Sequence, residues 1–401
     1  MTFFESTSNM IQPLEVRIAS AKADLEFNVG QYKFTTGTKY VNVLTNNQFS
    51  FYDVVAGEEI LNLDRSNDFT YEEEVFAGYA TVNRKWKKWN VKLGLRAEQT
   101  LSEGRLVALV PSGNDTVTRS YLNLFPSAGI TYEWNWKHKT ALNYSERISR
   151  PNYSDLNPFE HRITELYFWK GNPFLQPKYT NSVKLSHTYK YRYTVSASYT
   201  VVRDFYAQIT DTINLNGATE PNQAVMTTQN VADNHIFNLQ LSLPIQIKDW
   251  WNVYTSLGYY NYVYRANTDE FQPVTQPNFS FYGQNTFTLP GDWTLELSGW
   301  YSSRSVWGGT YITQPLGSFN AGVGKRFLDN RLKMNLNIND IFYTNPWRGA
   351  MSYNIVSISG YGGWDSREIR LNLSYNFGNE KMKQVKLRKG GASDESGRLD
   401  G

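Results

Sequence analysis

Cysteine is absent from all 401 residues, which excludes disulfides and thiolate metal sites and permits an extracytoplasmic location without showing one. No run of roughly 18 apolar residues occurs, so no transmembrane helix is available. The opening residues, MTFFESTSNMIQPLEVRIAS, lack a basic stretch followed by an apolar one. They are not expected to act as a secretion signal, which fits either a protein that stays inside or part of a longer chain. Net charge is small, with 40 Lys and Arg against 37 Asp and Glu, and the basic residues are scattered. No nucleic-acid partner is expected from that pattern. Only four histidines are present, His138, His161, His187 and His235, and their separation offers no metal-ligand spacing. P-loop, G-x-S-x-G, H-E-x-x-H and EF-hand patterns are missing, so neither a catalytic residue nor a cofactor is assigned. Glu72, Glu73 and Glu74 imitate a carboxylate pair, but neighbours on a strand point to opposite faces, and a solvated strand end is expected instead.

What the chain does have is aromatic residues, 15% of the total, and clean alternation. In KWNVKLGLRAEQ the residues Trp89, Val91, Leu93, Leu95 and Ala97 oppose Asn90, Lys92, Gly94, Arg96 and Glu98. RLKMNLNIN and REIRLNLSYNF repeat the split, with Leu336 and Leu371 on apolar faces. A period of two means strand, with one wet face. Polar alternation is equally normal in an antiparallel sandwich, so it does not by itself choose between water outside and water inside.

Connectors and tryptophans separate the two. Strands of about 9 to 16 residues suffice to cross a membrane when tilted. Short turns, at Gly30-Gln31, Lys85 to Lys88, Asn135 to Lys137, Lys190-Tyr191, Lys248-Asp249, Gly291-Asp292 and Leu328 to Asn330, alternate with long polar loops. The loops are Ser102 to Arg119, Ile148 to Pro177, Gln208 to Gln229, Arg265 to Pro277 and Phe342 to Ser352. Short turns at one rim and long loops at the other describe an outer-membrane barrel. Trp86, Trp89, Trp134, Trp136, Trp250, Trp251 and Trp293 fall beside the short turns, as an interfacial girdle should, with Tyr189, Tyr191 and Tyr193. Phe205, Tyr206, Tyr301 and Trp307 are expected to form the second girdle. The predicted fold is therefore all-β, an antiparallel transmembrane β-barrel with about 14 to 16 strands. Residues 1–21 are expected as an N-terminal segment, 22–377 as barrel and 378–401 as a charged periplasmic tail.

From Leu124 onward the residues NLFPSAGITYEW, LNYSERISRPNYSDLNPF and GNPFLQPKYTNSVKL resemble the outer-membrane β-barrel domain of TonB-dependent receptors, a resemblance that covers roughly Ala23 to Asp394 and is densest between Leu124 and Phe205. The resemblance rests on Leu124, Phe125, Pro126, Ser127, Arg147, Ile148, Arg150, Pro151, Tyr153, Leu156, Asn157, Pro158, Phe159, Gly171, Asn172, Pro173, Leu175 and Pro177. Lys178 stands where the pattern usually has Glu. The resemblance implies a barrel of about 22 strands, of which this chain would be the C-terminal part. It also implies partners: outer-membrane lipid, an imported ligand of unidentified kind, and a TonB-type energy-coupling protein acting through a plug domain. An apparently odd strand count and a first strand, near Lys22 to Gly30, that descends to the short-turn rim agree with a partial barrel. A passive channel complete as it stands and a soluble carbohydrate-binding β protein are the alternatives.

Arg147 continues the inward phase of Ala141, Asn143 and Ser145, so its guanidinium is expected in the lumen near the outer rim. Pro151 ends that ladder. Asn157-Pro158 and Asn172-Pro173 start turns and should order the loop up to Pro177. Arg147, Arg150, Asp155, Asn157 and Asn172 are accordingly assigned to holding this loop on the barrel wall. Trp169, Trp307, Trp347 and Trp364, in or near the long loops, are the candidate ligand-stacking residues.

Overall fold

The computed structural model describes residues 7–63, 65–109, 115–164, 166–213, 223–268, 271–353, 356–377 and 391–399. In chain order the strands begin with β1 (Thr7–Ile11), β2 (Leu14–Val29), β3 (Tyr32–Val55), β4 (Glu58–Leu61), β5 (Asn67–Trp86), β6 (Trp89–Ala108), β7 (Asp115–Glu133) and β8 (His138–Ser149). A single helical turn α1 (Tyr153–Leu156) and the short strands β9 (Glu160–Thr164) and β10 (Tyr167–Lys170) occupy the next connection. The wall resumes with β11 (Lys178–Tyr189), β12 (Tyr193–Ile213), β13 (Gln223–Lys248), β14 (Trp251–Ala266), β15 (Val274–Leu289) and β16 (Trp293–Ser302). After β17 (Ser305–Trp307) and β18 (Tyr311–Thr313) come β19 (Leu316–Phe327) and β20 (Leu332–Asn339). Then follow β21 (Trp347–Tyr353), β22 (Val356–Gly362), β23 (Glu368–Tyr375) and a second helical turn, α2 (Ser393–Ser396).

Among the described residues the main sheet has 19 strands, four of which, β1, β4, β9 and β10, are short. The remaining fifteen form one antiparallel meander from β2 to β23, each paired with the next. Among the described residues β2 and β23 do not pair with each other, so the sheet is open at both. As first and fifteenth members of an antiparallel series they run the same way, both ending at the short-turn rim.

Register fixes which face is which. The row Phe34, Val82, Leu93, Ala128, Tyr144, Val183, Tyr199, Phe237 runs across eight strands on one face. Leu93, Leu95, Leu239, Leu257, Leu336 and Leu371 on that face are exposed. Exposed leucines in an unbroken band facing outward are what lipid requires of a barrel. The opposite phase carries Lys92, Arg96, Asn143 and Lys184 and lines the lumen.

All seven short turns lie at one rim, and their aromatics touch in sequence. Trp86 lies 6.3 Å from Trp89, Trp89 lies 4.5 Å from Tyr132, and Tyr132 lies 4.7 Å from Trp134. Trp250 and Trp251 continue the girdle at 6.2 Å. The other rim departs from expectation in three ways. Two of the long loops are largely strand: β6 and β7 pair up to Leu106 and Asp115, and β12 and β13 up to Ile213 and Gln223. These walls outrun the hydrocarbon, which satisfies the loop backbone by continuing the ladder. Phe205 does not join a second girdle; it packs 5.2 Å from Tyr264 against a buried cluster that includes Ile209, Val231 and Met351. The first long strand begins at Leu14 rather than Lys22, because Val16, Ile18 and Ser20 continue the same alternation along β3.

Of the charged tail, residues 378–390 lie outside the described residues. Gly391 to Leu399 sit against the lumen face of β2, β3 and β5, with Glu395 and Arg398 in ion pairs there.

Candidate functional site

Two regions gather functional side chains: the loop after β8, which folds into the lumen mouth, and a small aromatic sheet above the other half of the wall. The loop is held as its prolines and asparagines require. Asn157 Oδ1 accepts from Phe159 N across Pro158 at 3.3 Å, and Asn172 Oδ1 accepts from Phe174 N across Pro173 at 2.9 Å. Asn172 also donates its backbone N–H to Asp155 O at 2.6 Å and its Nδ2 to Thr228 O at 3.0 Å. Gly171 sits so close to the Asn157 carbonyl that a Cβ would lie 2.1 Å from its oxygen. Tyr153, Leu156, Phe159 and Leu175 then pack on Val41, Val43, Phe49, Phe51, Phe69 and Tyr71, an apolar core inside the barrel mouth.

Of the residues assigned to this loop from sequence, Arg150 makes the strongest wall contact. Its Nη2 donates to Glu98 Oε2 at 2.8 Å and to Thr100 Oγ1 at 2.7 Å. Asp155 accepts from Thr228 Oγ1 at 3.5 Å. Burial pushes its carboxyl above the usual carboxylate range, against the opposing pull of Thr228, the Asn152 N–H and Lys178. Arg147 does not share this network; it stands exposed opposite Thr180 on the lumen face. Lys178, the departure from the familiar pattern, lies over the Tyr206 ring at 3.9 Å, so a cation–π contact takes the place of a carboxylate pair.

The sequence reading missed the clamps. Arg119 of β7 donates to Leu175 O at 2.6 Å and Pro173 O at 3.0 Å. Asn230 of β13 accepts from Gln176 N at 2.8 Å and donates to Gln176 O and Asp204 O. Both lie more than fifty residues in sequence from the loop residues they hold, and nothing local marks them. The acidic run splits as alternation demands. Glu72 and Glu74 bond Asn42 and Tyr40 on the outer face, whereas Glu73 turns inward and is 2% exposed. For Glu73 the solvated reading fails, because the C-terminal segment covers it.

Of the four candidate tryptophans, Trp307 and Trp347 come together, 6.0 Å apart and edge-on, with Tyr311 within 5.9 Å of both. They stand on a four-stranded sheet in the order β17-β18-β21-β22, where the glycine at Gly349 leaves room for the Trp347 ring. Trp169 is separate, half-buried on β10 opposite His161 and Met226, and Trp364 is exposed between β22 and β23. Below the aromatic sheet a cavity of about 810 Å³ is lined by Trp300, Gln314, Tyr343, Arg348 and Tyr361 among others. Arg348 lies 5.4 Å over the Tyr361 ring. Ring faces and a guanidinium at a cavity mouth can stack on a planar group and pair with an anion. Among the described residues no group of three or more metal-binding side chains occurs.

An open-ended antiparallel wall with a lipid-facing apolar band, one aromatic rim of tight turns and one rim of ordered loops defines an outer-membrane β-barrel. The chain belongs to the outer membrane protein beta-barrel family, whose model matches residues 2–375. Solved structures similar to it are TonB-dependent receptors. The siderophore receptor PiuA from Acinetobacter baumannii matches at 14% identity, over 91% of this chain and 56% of its own, with a TM-score of 0.60. The ferric yersiniabactin uptake receptor FyuA from Yersinia pestis matches at 10% identity, over 92% and 55%, with a TM-score of 0.64. The ferric citrate transporter FecA matches at 13% identity, over 94% and 56%, with a TM-score of 0.59. This chain thus spans a little over half the length of these receptors. Among curated proteins none matches the sequence. An outer-membrane address sets the soluble carbohydrate-binding alternative aside.

Proposed function

We propose that these residues form the C-terminal barrel wall of a TonB-dependent outer-membrane receptor that imports a ligand. The observation that carries this reading is the pair of sheet edges, β2 and β23, that have no further strand partner among the described residues. In hydrocarbon each free N–H and C=O costs several kcal/mol, so both edges must be met by further strands or by each other. Meeting each other would require a parallel seam, since both strands run the same way. Further strands of the same barrel close it with antiparallel pairs throughout, at the roughly 22 strands of the receptor class. The loops support capture at the surface: the Trp307, Tyr311 and Trp347 platform and the Arg348 cavity would present stacking faces and positive charge to an anionic, planar ligand. Energy would come from a TonB-type protein through a plug domain outside these residues.

Energy dependence tests the proposal. Cells with and without the gene are given labelled ferric citrate, a ferric catecholate, a copper complex and a small sugar, each with and without a protonophore. Uptake of one complex that needs the gene and collapses with the protonophore supports the receptor. Entry of several small solutes that the protonophore leaves unchanged would establish a passive channel instead.

A further inference from the structure

Lys39 of β3 and Glu73 of β5 face the lumen and are 7% and 2% exposed. Buried charges persist only where opposite charge is brought to them. Here it comes from the far end of the chain. Lys39 Nζ meets Glu395 Oε1 at 3.0 Å and Oε2 at 3.1 Å, and Asp394 Oδ2 at 3.3 Å. Glu73 Oε1 accepts from Arg398 Nη1 at 2.5 Å while Tyr71 Oη donates to its other oxygen at 3.0 Å. Arg398 is engaged on every side: its Nε donates to Pro151 O at 2.8 Å, its carbonyl accepts from Tyr153 N, and its guanidinium lies 4.1 Å from the Tyr153 ring centre.

The spacing on the two sides matches. Lys39 pairs with Ala77 and Val43 with Glu73, so the two wall charges stand four residues apart along the ladder, on the order of 13 Å. The α2 turn and the bond from Arg398 N to Glu395 O place an acidic pair at one end and a guanidinium beyond the other. We propose that this stretch of lumen wall is a docking site for a short charged segment, acidic pair first and arginine three residues on. Its occupant is Asp394 to Arg398 of this chain, which latches the tail into the lumen and competes there with any other segment or ligand that enters. Because Arg398 also binds Pro151 and Tyr153, the latch couples the tail to the loop at the outer mouth: release of one loosens the other. The inference needs only the barrel, not the receptor reading.

The cysteine-free chain allows a direct test in outer membranes containing the native protein. A Cβ on Gly391 would lie 3.6 Å from Ser20 Cβ, inside the disulfide range of about 3.5 to 4.5 Å. Ser20→Cys with Gly391→Cys should form an intrachain disulfide, seen as a mobility shift that reductant removes. Adding Glu73→Arg should abolish the shift, and Glu73→Arg with Arg398→Glu should restore it, which separates lost docking from a lost fold. A disulfide between chains, its absence from the parent pair, or full crosslinking in Glu73→Arg alone would each overturn the latch.

Discussion

Arg150 reaches from the end of the β8 ladder to Glu98 on β6, Nη2 to Oε2 at 2.8 Å, with both side chains almost wholly out of solvent. Arg96 Nε holds the other Glu98 oxygen at 2.5 Å. Removing Arg150 would leave a buried carboxylate with one partner instead of two. Arg150→Ala should therefore cost about 3 kcal/mol, the low end for breaking a buried pair, read as a lower urea midpoint of the barrel in lipid vesicles. Glu98→Gln in the same chain should return part of that loss; strict additivity of the two changes would show that they do not interact.

The lipid-facing assignment is tested at Leu336 and Asn337, neighbours on β20 that face opposite ways. Leu336 pairs with Val323 and Leu371 in the exposed apolar band, and Asn337 pairs with Gly322 on the lumen face. Leu336→Arg should cost about 2 to 4 kcal/mol in the same unfolding measurement, and Asn337→Arg much less. Equal losses would reverse the faces.

These tests also mark what the sequence makes legible. Turn positions and the Trp86, Trp89, Trp134 girdle follow from patterns within a few residues, as does the lipid phase at Leu93 or Leu336. Asn157 and Asn172 were readable because an asparagine before proline caps its own backbone. The Arg119 and Asn230 clamps and the Glu73 to Arg398 pair join residues 54 to 325 apart, which only the register brings together. The two connections that continue as strand, β6 to β7 and β12 to β13, read as loops in the sequence because a ladder above the membrane needs no apolar alternation. The local sequence gives Trp307 and Trp347 no reason to meet; the reason is the antiparallel pairing of β18 with β21 across the intervening wall strands β19 and β20.

Gly171 carries a steric prediction. With the Asn157 carbonyl oxygen 2.1 Å from where a methyl would stand, Gly171→Ala cannot be relieved by a side-chain shift. The 157 and 171 segments must part, breaking the bond from Asn172 N to Asp155 O. Limited proteolysis should then cut between residues 157 and 177 in the variant and not in the parent. Unchanged protection would contradict the packing.

Asp340 gives the outer rim a pH dependence. Burial raises its carboxyl, but bonds from Ser366 Oγ and from the Thr344 and Asn345 N–H groups outweigh this, and it titrates below the ordinary range. A depressed pKa in the folded state contributes stability that is complete above the unfolded value, about 3.9, and disappears as pH falls through the lower folded value. Amide exchange at Thr344 and Asn345 should therefore accelerate below about pH 4 beyond its intrinsic trend. Asp340→Asn should flatten the response over that window, and an acid-induced loosening that persists in this variant would assign it elsewhere.

Orientation in the membrane follows from connector length and can be read on living cells. The Trp86 to Trp89 turn belongs to the girdled rim of tight turns, and Trp307, 57% exposed, stands on the aromatic sheet at the opposite rim. Outer-membrane barrels keep short turns in the periplasm and long connections outside. Single cysteines in place of Lys87 and Trp307 report the two rims, since no native thiol competes. A membrane-impermeant maleimide should label position 307 on intact cells, and position 87 only after the outer membrane is breached. Labelling of position 87 but not 307 on intact cells would invert the barrel and place the aromatic platform and the Arg348 cavity where no external ligand could first meet them.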